Sequence, residues 1–335
     1  MKSYYTIPIF IPEEACPFRC SYCNQYNIAD KTASPHPSEV KLQIEQYLQT
    51  FPENGHKKIG FFGGSFTGMT IDQQNSYLDI AQPYIQKGVI HTIQLSTRPD
   101  YINEEILINL KRRHVSIIEL GAQSLDEDVL RNSRRGHSVE DVHQAAKLIK
   151  QHGFQLGLQM MIGLPGDTFE KSLHTAQTFI NLNTDYTRIY PTLVIKETDL
   201  EKRYRSGEYQ PLSLNEAVQW SKSLMRLFER HNVTILRLGL HPSEGLLTGK
   251  NLVAGPFHVS FKELVLSEIW KDILNEKTEH ITAKHLRIFI PEKAINAAIG
   301  YQASNRKWLQ EKFTEVTFMT DHQLSDCQCN IEVVC

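Results

Sequence analysis

The chain has 335 residues, with 36 Lys plus Arg against 38 Asp plus Glu. That length suits one large α/β domain with a small appendage, or two medium domains. The near balance of charge excludes a global positive field acting on nucleic acid or anionic lipid, so any such contact has to come from a local patch.

The N-terminal apolar run, residues 7–11, is broken by Pro8 and followed by Glu13 and Glu14, so neither a signal peptide nor a membrane span is expected. From there to about residue 235, strand-like runs alternate with helix-like stretches. Strands are expected at 6–11, 58–62, 90–96, 116–120, 155–161, 187–194 and 234–238, and helices at 38–50, 71–86, 103–113, 139–152, 169–182 and 214–230. Ser38 and Ser138 are the N-cap candidates for the first and fourth of these helices. Such alternation predicts parallel strands joined by crossover helices, an α/β partial barrel of about six strand–helix units. Residues 241–258 read as loop, 261–275 as helix, and the remainder as strand (286–290), helix, turn, helix (304–313) and strand (316–319). The expected division is a barrel over 1–240, a connecting segment over 241–283 and a small α+β domain over 284–335.

Functional groups in a parallel barrel gather where the strands end. Cys16, Gly63, Gly64, Thr97, Gln123 and Gly163 lie just beyond or near the ends of successive expected strands.

The six cysteines form two tight groups, 16/20/23 and 327/329/335, with none between. A secreted disulfide framework would spread them, so a reducing cytoplasm is expected, and with it metal or redox chemistry. Cys16-Pro-Phe-Arg-Cys20-Ser-Tyr-Cys23 follows the first strand, and thiolates this close suit one soft metal centre. Structural zinc would want a fourth Cys or His, and His36 has no ligand-like spacing. The tail cysteines have an irregular spacing and read as a frayed terminus or a β-edge.

The three-then-two cysteine spacing resembles that of the radical S-adenosylmethionine (SAM) superfamily. The resemblance implies a 4Fe-4S cluster on Cys16, Cys20 and Cys23, with one iron open to the amino and carboxylate groups of SAM. It also implies Tyr22 near the adenine, and the turn at Gly63, Gly64 and Ser65 near the SAM amino group. Ser65 stands where many members have Glu, which leaves backbone oxygens as the expected contacts. Ser96 and Thr97 are expected at the ribose or carboxylate, Gln123 at a polar group, Arg135 at the carboxylate, and Gln159 and Gly163 at the adenine end.

Gly-Gly-Ser-Phe-Thr, Thr-Arg-Pro-Asp-Tyr, Gly-Ala-Gln-Ser-Leu-Asp, Arg-Arg-Gly-His-Ser-Val, Gly-Leu-Pro-Gly and Arg188-Ile-Tyr-Pro-Thr-Leu-Val194 narrow the likeness. Together they resemble the radical SAM domain of the elongator complex's catalytic subunit, with a looser likeness to oxygen-independent coproporphyrinogen oxidases. No acetyltransferase domain is recognisable after residue 240, so acetyl transfer is not expected. The segment 288–308 resembles a KH fold, in which a Gly-x-x-Gly turn clamps a nucleic-acid backbone; here the turn is Gly300-Tyr-Gln-Ala303, with Lys293, Arg306 and Lys307 as candidate RNA contacts.

The expected function is therefore radical SAM modification of an RNA, in particular a tRNA base, with a flavodoxin or ferredoxin as electron donor. The alternatives are a radical SAM enzyme acting on a small molecule, and a non-catalytic RNA-binding module holding a structural metal.

Overall fold

The computed structural model describes residues 4–12, 16, 19–29 and 33–334; the Cys335 part of the tail reading lies outside these residues. Seven parallel strands form the main sheet: β1 (Tyr4–Ile11), β2 (His56–Gly63), β3 (Thr92–Thr97), β4 (Val115–Gln123), β5 (Gln155–Ile162), β6 (Tyr186–Pro191) and, beyond a short intervening β7 (Val194–Ile195), β8 (Thr234–Leu238). Their order is β1-β2-β3-β4-β5-β6-β8, so each strand except the last pairs with its successor and β1 and β8 are the two edges of an open barrel. β7 pairs antiparallel with β9 (Leu252–Ala254), inside the stretch read as loop from the sequence.

Parallel strands need crossovers, and the helices that supply them are capped where the sequence offers a capping side chain. Ser138 caps Val139–Gln151 in a capping box with Asp141, as expected. Ser38 does not cap Pro37–Thr50. It lies inside that helix, and the cap is His36, whose ring accepts from the Ser38 N–H while Glu39 reaches back to the His36 N–H. Pro37 takes the first helical position, which moves the start upstream of Ser38.

Period-two alternation sorts the strand residues to two faces. Ile7, Ile9, Ile59, Phe61, Ile93, Leu95, Ile118, Leu120, Leu156, Leu158, Met160 and Ile189 are buried on the helix-covered face. The other face carries Lys58, Gln94, Ser96, Glu119, Gln123, Gln159, Arg188 and Tyr190. Barrel interiors are ordinarily packed with branched apolar side chains, so this polar lumen is a departure that asks for a reason.

The chain divides into two compact units: 1–213 with 227–257, and 214–226 with 258–335. The segment 241–283 is therefore shared between them. Within the second unit, β10 (His285–Ile290) lies between β11 (Glu315–Thr320), parallel to it, and β12 (Asn330–Val334), antiparallel to it. Helices Phe261–Thr278, Ile295–Ile299 and Ser304–Gln310 cover one face, packing Trp270, Leu274, Leu286, Ile288, Ile290 and Leu309 into one apolar core. Cys329 is buried there, and residues 330–334 form the β-edge. Among the described residues no helix is long and apolar enough to cross a membrane.

Candidate functional site

The three N-terminal cysteines sit in the loop after β1. Cys20 is buried and Cys16 and Cys23 are half-buried. The loop is held by its own turn (Cys23 N–H to Cys20 O, 3.1 Å) and by two long-range backbone bonds, Ser21 N–H to Ser133 O (2.9 Å) and Leu200 N–H to Ser21 O (2.7 Å). Cys20 and Tyr22 pack with Val129, Leu164, Val194, Leu200 and Tyr209. Tyr22 is buried, and burial together with the neighbouring Cys20 sulfur pushes its phenol well above its ordinary range.

Burial raises the Cys16 thiol as well, and a charge on Cys20 adds to this, against the Ser65 hydroxyl at 3.8 Å and the Arg135 guanidinium. The protein alone thus disfavours a thiolate at Cys16, and a bound metal would have to supply the positive charge. Among the described residues no three Cys, His, Asp or Glu side chains come close enough together to hold a single ion. A 4Fe-4S cluster takes each thiolate at a different iron, and three cysteines leave its fourth iron open.

β2 ends beside this loop. Gly63 has φ +114° and approaches β1 so closely that a Cβ would stand 2.4 Å from the Ile11 carbonyl oxygen; only glycine permits both. The Ile11 oxygen accepts the Gly64 N–H at 2.7 Å, and the Gly63 oxygen accepts from the Gln25 side chain at 2.7 Å. Gly64, Ser65 and Ser96 line one small cavity with Ile11, Phe62 and Met69.

Arg135 is buried against the cysteine loop. Its Nη1 donates to Cys20 Sγ at 3.2 Å and its Nη2 to the Gly121 oxygen at 2.6 Å, while its buried Nε has no partner in the protein. Burial works to lower its pKa, but the adjacent Tyr22 hydroxyl and Cys20 sulfur outweigh this and raise it. Gln123 ends β4 with φ +68°, at an irregularity in the β4–β5 register, and its buried Oε1 also lacks a partner. Two unsatisfied buried polar atoms at a strand-end rim are what an absent polar ligand would complete.

Two of the expected residues have hydrogen-bonding groups already engaged within the protein. The Thr97 hydroxyl is committed to Thr67, at 2.6 Å from its hydroxyl and 3.2 Å from its N–H. Gly163 has both backbone groups in use: its N–H donates to Asp167 Oδ2 (2.8 Å) and its oxygen accepts from Tyr209 Oη (2.6 Å). Burial raises Asp167 to about 6. In the second unit, Gly300 is buried at φ +84°, leading a turn between two helices in which Gln302 and Ala303 are left-handed. Lys293 and Lys307 are exposed, whereas Arg306 is half-buried over the Phe318 ring at 5.7 Å. His258 stacks edge-on against Tyr301.

The sequence reading missed the lumen. Glu119, 1% exposed, accepts two hydrogen bonds from Arg188 (2.5 and 2.9 Å), one from Gln94 and one from Gln159 (3.3 Å). Arg188 reaches towards β2, its guanidinium 4.9 Å from the centre of the Phe62 ring. A side chain on Gly157 would meet Glu119 Cγ at 2.7 Å, so glycine makes the room for this carboxylate. The signal was present in the sequence: charged residues at the period-two positions of otherwise apolar strands.

Comparison with known proteins agrees with this architecture. The radical SAM superfamily profile matches residues 10–179, just over half of the chain, and a radical SAM C-terminal domain profile matches 184–271. An uncharacterised protein of Methanocaldococcus jannaschii is 30% identical over 216 residues, 63% of each chain. A protein of Methanocaldococcus infernus named tRNA uridine(34) acetyltransferase is 34% identical over 201 residues, which cover 57% of this chain and 37% of the relative. The chain thus spans less than two thirds of either. Among solved structures, the archaeal Methanocaldococcus infernus Elp3 with an N-terminal deletion superimposes with a TM-score of 0.64 at 21% identity, covering 81% of this chain and 64% of that one. At that identity the likeness establishes the fold.

Proposed function

Because the chain belongs to the radical SAM superfamily, we propose that it is an enzyme holding a 4Fe-4S cluster on Cys16, Cys20 and Cys23 and acting on an RNA base, in particular one of tRNA. A cluster bound to these cysteines would supply the one electron that splits a carbon–sulfur bond of SAM into methionine and a 5′-deoxyadenosyl radical. The residues of this chain do the rest: they bind, orient and exclude water. Burial of Cys20 and Tyr22 keeps solvent from the cysteine loop. Gln123 and Arg135 bring the two unsatisfied polar atoms to the rim where the methionyl end of SAM would lie, while Gly64, Ser65 and Ser96 line the adjoining cavity and Gln159 donates to the Ser96 hydroxyl. Thr97 and Gly163 act in this reading by shaping the strand ends rather than by touching the ligand.

The observation that carries the proposal is the placement of three cysteines in the β1 loop, beside a buried guanidinium and orphaned polar atoms at the same rim. The RNA half rests on the name of the relative from Methanocaldococcus infernus. The acetyl transfer in that name is not carried over, since this chain spans 37% of that relative. A cytoplasmic location and a flavodoxin or ferredoxin as reductant follow from the need for a low-potential, reducing setting.

Nucleoside profiling of tRNA from cells with and without the gene tests the substrate: one modified base is expected to disappear, and an unchanged profile would refute the RNA reading. A KH-like role for the second unit predicts that Lys293→Ala with Lys307→Ala weakens tRNA binding several-fold in a gel-shift titration; equal binding would assign that unit another role.

A further inference from the structure

Glu119 receives four hydrogen bonds, which is the full accepting capacity of a carboxylate. With no lone pair left it is unsuited to contact a substrate, and its effect has to pass through the groups that donate to it. One of these is Gln159, a residue of the proposed SAM site. A carboxylate accepts only, so the atom of Gln159 facing Glu119 must be the NH2 group. That group donates to Glu119 Oε2 at 3.3 Å and to Ser96 Oγ at 3.1 Å. Both its protons are then spent, and the half-buried Gln159 has only its carbonyl oxygen left to offer a ligand. Ser96 Oγ, having accepted from Gln159, keeps its own proton to donate, and it borders the cavity shared with Gly64 and Ser65.

We propose that Glu119 and Arg188 are positioning residues that fix the amide of Gln159, so that its oxygen and the Ser96 hydroxyl present an acceptor and a donor side by side to a vicinal diol. A ribose carries such a diol, and the inference rests on the reading that SAM binds at this rim. Arg188 is needed because it holds both oxygens of Glu119 in a two-pronged grip and so sets the plane of the carboxylate. Without that pair the Gln159 amide is free to turn over and offer a donor where the ligand also has one to satisfy.

The test is a ligand-based double-mutant cycle on the reconstituted holoenzyme. Dissociation constants are measured by calorimetry for S-adenosylhomocysteine and for its 2′-deoxy analogue, in the wild type, in Glu119→Gln, and in the paired apolar variant Glu119→Leu with Arg188→Leu, which avoids stranding a buried charge. The wild type is expected to prefer the ribose form about tenfold, the worth of one well-made hydrogen bond. Both variants are expected to lose that preference by weakening only the ribose form. A retained preference in the folded paired variant overturns the inference, and so does an equal loss for both ligands, the mark of a merely structural role. A wild type that binds the ribose form without preferring it also overturns the inference while sparing the reading of the site. A wild type that binds neither ligand overturns both.

Discussion

Strands β4 and β6 bury charge, whereas β10 and β11 of the second unit bury hydrocarbon. In the first unit, Glu119 and Arg188 lie in the lumen with 1% and 13% of their side chains exposed. In the second, Leu286, Ile288, Ile290, Leu309 and Val316 fill the space between sheet and helices. Its buried Asn305 donates to the Ser267 and Ala298 carbonyls of its own unit. A buried ion pair is a poor way to stabilise a fold, because desolvation offsets most of the attraction. The difference therefore separates an interior whose buried charges add little to stability from one held by apolar packing.

The comparison is broken most severely by splitting the lumen pair. Arg188→Met leaves a buried carboxylate without its cation and is expected to cost about 3–5 kcal/mol, read from urea denaturation. Adding Glu119→Leu should recover most of that loss, and a double variant as unstable as the single one would show that the pair is a net stabiliser. In the second unit the response should differ in kind. Leu309→Ala is expected to cost about 2–5 kcal/mol through the cavity it leaves, with no second substitution at a polar site able to relieve it.

A smaller effect comes from acid. Burial, with Arg135 and then Arg98 nearby, lowers the pKa of His137 from 6.5 to about 2, so the folded protein holds it neutral. Its contribution to stability is whole above pH 6.5 and is lost as pH falls towards 2, on the order of 2 kcal/mol by pH 5. Thermal melts of His137→Gln should show a weaker drop between pH 7 and pH 5 than the wild type. An identical drop would place the acid sensitivity elsewhere.

The barrel was legible because its helices and strands differ in period, and because glycine and proline mark the strand ends. Ser138 was found as a cap, while Ser38 was misplaced because the ring of a histidine accepted in its stead. The cysteine loop was visible as spacing, since thiolates around one centre must be near in sequence or in space, and here they are near in sequence. The Glu119 network was not, because its members are spread over β3 to β6 and only the register brings Ser96 beside Glu119 and Gln159 beside Arg188. The commitment of Thr97 to Thr67 and of Gly163 to Tyr209 was likewise hidden, since each depends on a partner many residues away. Residues 330–334 carried too short a pattern to choose between a frayed end and the edge strand they form on β10.

The central claim is that Cys16, Cys20 and Cys23 hold a cluster that cleaves SAM. Anaerobic reconstitution with iron and sulfide, followed by dithionite, SAM and quantitation of 5′-deoxyadenosine, tests it directly. The account predicts a brown protein with about four irons and four sulfides per chain that forms 5′-deoxyadenosine, with both properties abolished in a folded Cys16→Ala, Cys20→Ala, Cys23→Ala variant. A colourless protein, or one whose 5′-deoxyadenosine yield survives the triple substitution, would contradict it.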